Sequence, residues 1–148
     1  MIIKSYEIEK KPSNFLNYNF FLLYGENYGL KKDIKEAIKS AITQKHINLE
    51  FSSLYENDVI ENEEAFYNSI YSGSLFGNKK IIFVNNITDK IIKQAKDIVN
   101  KYPENIFIIF SAEILEKKSK LRNFFETNTK TLCVPCYLDN EKSMEIIA

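Results

Sequence analysis

Five strand-length segments, three of them unbroken apolar runs, each separated from the next by a stretch of helical periodicity, constrain this 148-residue chain more than any other feature. Phe20-Phe21-Leu22-Leu23-Tyr24 is apolar at consecutive positions and stops at Gly25. Ile81-Ile82-Phe83-Val84 and Ile106 to Phe110 (IFIIF) repeat that pattern. A strand with one wet face alternates apolar and polar residues; these runs do not, so both of their faces are covered. Asn48 to Tyr55 reads as a less hydrophobic strand, and Thr131 to Val134 as a fifth.

The intervening stretches carry the helices. Leu30, Ile34, Ala37, Ile38, Ala41 and Ile42 recur at helical spacing and predict a helix over about 29–45. Phe66 and Ile70 mark the inner stripe of a helix over 61–73. Thr88 caps a helix with the stripe Ile91, Ile92, Ala95, Ile98, Val99 and Tyr102, which Pro103 stops. A shorter helix spans about 119–125, and the pattern from Glu141 to Ala148 opens another. Buried strands alternating with helices specify an α/β fold: a five-stranded parallel sheet with helices on both faces.

Charge narrows the function. Lys plus Arg and Asp plus Glu are 20 each, so the formal net charge is zero, and Arg122 is the only arginine. A protein-wide basic footprint for nucleic acid is therefore absent, and guanine reading, which favours Arg, is disfavoured. No run is long and apolar enough for a signal peptide or a membrane span, and the chain reads as cytoplasmic.

In open parallel sheets, ligands sit beyond the carboxyl ends of the strands. The first such loop, Gly25-Glu26-Asn27-Tyr28-Gly29-Leu30-Lys31-Lys32, is a faulty phosphate loop. The pattern G-x-x-x-x-G-K-[ST] needs Gly where Leu30 stands and a hydroxyl where Lys32 stands; only Gly25 and Lys31 match. The acidic residue that would close a later strand and hold Mg²⁺ is replaced by the neutral pair Asn85-Asn86. Asn85 equally fails as the phosphoacceptor of a receiver domain. Two defects in one machine argue for an ordinary strand-to-helix turn, with no catalytic residue, metal or cofactor. A nucleotide-binding protein without turnover is the alternative reading.

Cys133-Val134-Pro135-Cys136 has redox spacing but follows a strand and opens no helix that would lower a thiol pKa. Two partly buried thiols are the expectation. His46, the only histidine, is read as a residue complementing the carboxyl end of its helix, and the Lys79-Lys80 pair as a solvated flank.

Ser72-Gly73-Ser74-Leu75-Phe76-Gly77 raises a different question. Leu75 is nine residues past Phe66, half a turn round from the Phe66/Ile70 stripe if the helix continues. Local packing under the sheet edge and an anchor for a partner's pocket both fit a Leu-Phe pair held between glycines.

Taken together, FLLYGEN…GLKKD, SGSLFGNKKIIFV, IFIIFSAEILEKKSKLRNFFE and the closing VPCY resemble the bacterial DNA polymerase III delta subunits, in order along nearly the whole chain. The resemblance implies the amino-terminal domain of a clamp-loader subunit: an AAA+ fold with a degenerate phosphate loop (Gly25, Gly29, Lys31, Lys32) and no ATP hydrolysis. It implies a clamp-binding element at a helix end, with Leu75 and Phe76 as the hydrophobic pair and Ser74 and Gly77 beside them. The implied partners are the sliding clamp and the other clamp-loader subunits, with primed DNA reached only through the assembled complex. Residues 1–140 would form the clamp-binding domain, and 141–148 would begin a helix leading to an absent lid domain. The three-residue signature around a trans-acting arginine is missing at Arg122, so no such role is expected there.

Overall fold

The structure, a computed structural model, describes residues 1–71, 79–101 and 105–138. Five strands form one sheet: β1 (Phe20–Tyr24), β2 (Glu50–Tyr55), β3 (Lys80–Ile87), β4 (Ile106–Ala112) and β5 (Thr131–Pro135). Every pairing is parallel, in the order β2-β3-β4-β1-β5. The helices are α1 (Ser5–Lys10), α2 (Tyr28–Lys45), α3 (Glu56–Glu61), α4 (Glu63–Tyr71), α5 (Ile92–Asn100) and α6 (Lys120–Thr127), with 3-10 turns at Pro12–Phe15 and Asp89–Ile91.

The strand order dictates how helices are shared between the two faces. From β1 the chain crosses to the far edge, then works back through β3 and β4 and past β1 to β5. Right-handed crossovers therefore place the helix after β1 on one face and all later helices on the other. Packing follows this rule. Phe21, Leu23, Ile109 and Val134 bury against Ile34, Ile38 and Ile42 of α2 and Ile8 of α1. Phe20, Leu22, Ile108 and Phe110 bury against Phe66 and Ile70 of α4, Ile98 of α5 and Phe125 of α6. Phe110 and Phe125 meet edge to face at 5.4 Å. Alternate residues of each central strand thus serve different cores, which is why these strands read as unbroken apolar runs.

β3 shifts register between Val84 and Ile87, where Asn86 takes φ 55°. The extra residue returns Ile87 to the same core as Ile82 and Val84. Thr88 then caps the turn into α5, accepting from Lys90 N, and α5 buries Ile98 and Val99. Tyr102 and Pro103, the predicted end of that helix, lie outside the described residues, as does the pattern from 141 onward.

Three differences from the sequence expectations stand out. The helix predicted over 61–73 begins earlier, as α3, and restarts as α4 after Asn62, whose φ of −126° breaks the run. α1 was not foreseen; its single buried apolar residue, Ile8, leaves no periodicity to read. Lys80 is no solvated flank, since its ammonium lies 3.8 Å from Glu50 and donates to Ser69 O at 3.0 Å.

Candidate functional site

At the carboxyl end of β1, the loop read from the sequence as a degenerate phosphate loop is tied to the backbone of the segment after β5. Gly25 has φ +124°, a conformation open to glycine but strained for other residues. A Cβ there would lie 2.0 Å from Cys136 O. Gly25 N donates to Glu113 O at 2.8 Å, and Cys136 N donates to Tyr24 O. Asn27 N donates to Cys136 O at 3.2 Å, while the Asn27 amide donates to Tyr137 O at 3.0 Å. Leu138 N donates to Glu26 Oε1 at 3.4 Å. The segment Cys136–Leu138 is therefore bonded along the loop. Asn27 also caps α2, accepting from Leu30 N.

Lys31, the residue that would reach the phosphates, is 4% exposed and donates to Ala112 O at 2.9 Å. Its ammonium sits 4.5 Å from the centre of the Tyr28 ring, and Tyr28 in turn donates to Glu113 at 2.7 Å. Burial pulls the Lys31 pKa below its ordinary value. Lys32 is exposed, and a Cβ at Gly29 would meet nothing closer than Asn27 Oδ1 at 3.8 Å. The four predicted loop residues are thus dispersed in role: one is forced by a backbone contact, one is buried, and two stand open.

At the end of β3, Asn85 accepts from Lys35 Nζ at 2.9 Å and donates to Ser53 Oγ at 2.9 Å. Both ends of the amide are used, a pattern a carboxylate, with no N–H to give, does not reproduce. Where a nucleotide hydrolase would hold a metal, this chain has a lysine–amide–hydroxyl tie. Among the described residues no group of three His, Cys, Asp or Glu could hold a metal ion.

A second opening lies between the loops after β3 and β4. It is a cleft of about 640 Å³ lined by Asn86, Ile87, Thr88, Glu113, Ile114 and Leu115 among others. Asp89 spans its base, accepting from Ser119 Oγ at 2.6 Å and from Leu121 N at 3.2 Å to cap α6. Burial raises the Asp89 pKa, but the Ser119 hydroxyl and the α6 amides outweigh it and hold the carboxyl below its usual range. Arg122 turns inward, donating to Glu126 and to Leu115 O at 2.8 Å each and lying 5.0 Å from the Tyr24 ring centre.

Cys133 lies within β5 and Cys136 just beyond it; both are free and fully buried. Burial, with Glu126 nearby, pushes the Cys133 thiol up to about 12. His46 departs from the dipole reading: burial and the neighbouring Lys79 and Lys45 lower its pKa, and its ring lies 6.0 Å from that of Phe107. Ser74, Leu75, Phe76 and Gly77 lie outside the described residues.

The model of the family described as DNA polymerase III, delta subunit, matches residues 21–136. The chain belongs to that family. A probable DNA polymerase III subunit delta from Rickettsia prowazekii is 30% identical over 128 residues, which cover 85% of this chain and 37% of the relative. The chain therefore spans little more than a third of that relative's length. Among solved structures, the Bacillus subtilis DNA clamp loader delta protein YqeN superposes with a TM-score of 0.67 at 12% identity, over 96% of this chain and 44% of that one. Saccharomyces cerevisiae RIF2 follows with a TM-score of 0.50, also at 12% identity, over 89% of this chain and 54% of its own. At such identities the likeness concerns the fold alone, a five-stranded parallel sheet with helices on both faces.

The features that sequence reasoning missed are the partners of the loop. Cys136, Tyr137 and Glu113 act there mostly through backbone atoms, which residue types do not reveal. Gly25 carried the one legible trace.

Proposed function

We propose that this chain is the clamp-gripping domain of a clamp-loader delta subunit. It binds the sliding clamp and helps hold one of its interfaces open for loading onto primed DNA, and it turns over no ATP itself. Family membership and the state of the loop after β1 support this reading together: that loop is bonded to Cys136–Leu138, and Lys31 is turned onto Ala112 O. ATP would act through the other clamp-loader subunits, and DNA would be met in the assembled complex, in the cytoplasm. Residues 1–140 would be the gripping domain, with 141–148 leading towards a lid domain. The alternative, a nucleotide-binding protein without turnover, loses ground because Lys31 is already engaged by Ala112 O.

Leu75 and Phe76, flanked by Ser74 and Gly77, are the proposed anchor. Phe66 and Ile70 are buried on the inner stripe of α4, and by sequence spacing alone a continued helical phase would set Leu75 off that stripe. Truncating a central anchor costs about 2–4 kcal/mol, or roughly thirty- to a thousandfold in affinity. A Leu75→Ala/Phe76→Ala variant should lose binding to the sliding clamp of the same organism in a calorimetric titration while keeping its melting temperature. Normal clamp binding by the variant, or its unfolding, would return the pair to the core.

A further inference from the structure

We infer that the α2-side face of the edge strand β2 is a landing site for single-stranded nucleic acid, gripped through its phosphates and stacked bases without sequence reading. β2 is the outermost strand, and α2 leaves its near face uncovered. Phe51 and Tyr55 stand there 47% and 56% exposed, with Ser53 between them. Lys32, Lys35 and Lys39 run alongside on α2. Lys39 Nζ lies 4.7 Å from the centre of the Phe51 ring, and a hollow of about 340 Å³ is lined by all three lysines together with Ser53 and Tyr55.

None of the three lysines makes an ion pair among the described residues. Lys35 is tied only to the neutral Asn85 amide, and Glu36 is the one acid lining the hollow. A net charge of zero excludes a protein-wide basic footprint, but it leaves room for a local one. The dimensions also match. Lys32 to Lys39 covers about 10 Å of helix and Phe51 to Tyr55 about 13 Å of strand, two near-parallel rows long enough for two or three nucleotides. Aromatic platforms beside a cationic track are how proteins hold single strands of any sequence. An acidic peptide fits less well: the backbone donors and acceptors of β2 lie in the plane of the sheet, so a chain resting on this face gains few main-chain bonds. Lysines hold phosphates as point charges and do not read bases, which agrees with a chain holding a single arginine.

The test is fluorescence anisotropy of a short labelled oligothymidylate with the 148-residue chain at low salt. Binding is expected with a Kd of roughly 10⁻⁴ M, weakening with salt at a log–log slope of about −2, as three single-strand phosphate contacts require. Lys32→Gln/Lys35→Gln/Lys39→Gln should bring the slope close to zero. Phe51→Ala/Tyr55→Ala should weaken binding by about 10- to 100-fold while leaving the slope unchanged. These positions lie at the surface, and Lys35→Gln keeps a donor for Asn85, so melting temperatures should hold and the folded variants remain testable. No binding at low salt, binding indifferent to both variants, or displacement of the oligonucleotide by polyglutamate as readily as by unlabelled oligonucleotide would each overturn the assignment. The last outcome would point to an acidic protein partner instead.

Discussion

The carboxyl ends of β1 and of β3–β4 lie side by side at the same edge of one sheet, yet the loop at one is bonded across to its neighbour and the loops at the other stand apart. After β1, the loop at Gly25–Asn27 is bonded to Cys136–Leu138 and Lys31 is folded back onto Ala112 O. After β3 and β4, the loops stand apart around a cleft of about 640 Å³. Strand order places the switch point between β1 and β4, where helices leave to opposite faces and such folds bind ligands. The contrast teaches that the two strand ends differ in their backbone as well as in their side chains. Here a lysine at position 32, where a phosphate loop has a hydroxyl, and the neutral Asn85 accompany a loop bonded to the segment after β5. Restoring the lost residues alone would leave Cys136 O against Gly25.

The largest expected effect tests that contact. Gly25→Ala puts a Cβ 2.0 Å from Cys136 O at a φ of +124°, so either the loop or the segment after β5 must move. Strain at such a φ costs about 1–3 kcal/mol, and the backbone clash adds to it. A loss near 3 kcal/mol should lower the melting temperature by about 6–12 °C, for a chain of this length, in a thermal scan. An unchanged melting temperature would mean that Cys136 does not press on the loop and that the two strand ends differ less than described.

The strands were legible and the bonding of the loop after β1 was not, for one physical reason. Burial on two faces leaves a mark at every position, so β1 was read residue for residue and β4 fell short only by Ser111 and Ala112. Backbone hydrogen bonds between residues more than a hundred positions apart leave none, and Cys136–Asn27 is such a contact. The α3–α4 break was invisible because Asn62 sits in a polar run with neither Gly nor Pro to mark it. Lys31 and Asn85 were legible as defects of a phosphate site, but not as groups with new partners. Leu75 and Phe76 came from the family resemblance; periodicity alone left them divided between core and surface.

A second prediction sharpens the contrast. Lys31→Met keeps the buried stem but leaves Ala112 O without its charged donor, costing about 1–2 kcal/mol. Millimolar Mg-ATP should shift the melting temperature of neither protein, since a ligand confined to the native state raises stability only when its concentration exceeds its Kd. A rise in the parent chain that vanishes in Lys31→Met would show a working phosphate loop and erase the difference between the two strand ends.

The smallest expected effect reads how dry the β1–β5 end of the sheet is, through Cys133. Its thiol, fully buried in β5, titrates near 12 in the folded chain against an ordinary value near 9. Burial, the main cause, disfavours the thiolate. Between these two values the unfolded chain has lost a proton that the folded chain keeps, so the unfolded state binds fewer protons and stability falls as pH rises. The contribution is complete below pH 9 and is lost progressively above it, amounting to about 1.4 kcal/mol at pH 10. Cys133→Ala removes the titrating group, so denaturant titrations at pH 8 and pH 10 should show a smaller alkaline loss in the variant by about that amount. The same interior should keep both thiols unreactive towards a disulfide reagent at pH 8 until the protein unfolds. Equal alkaline losses in parent and variant, with rapid native-state labelling of Cys136, would mean that water reaches the segment after β5. The β1–β5 end of the sheet would then be as open as its neighbour.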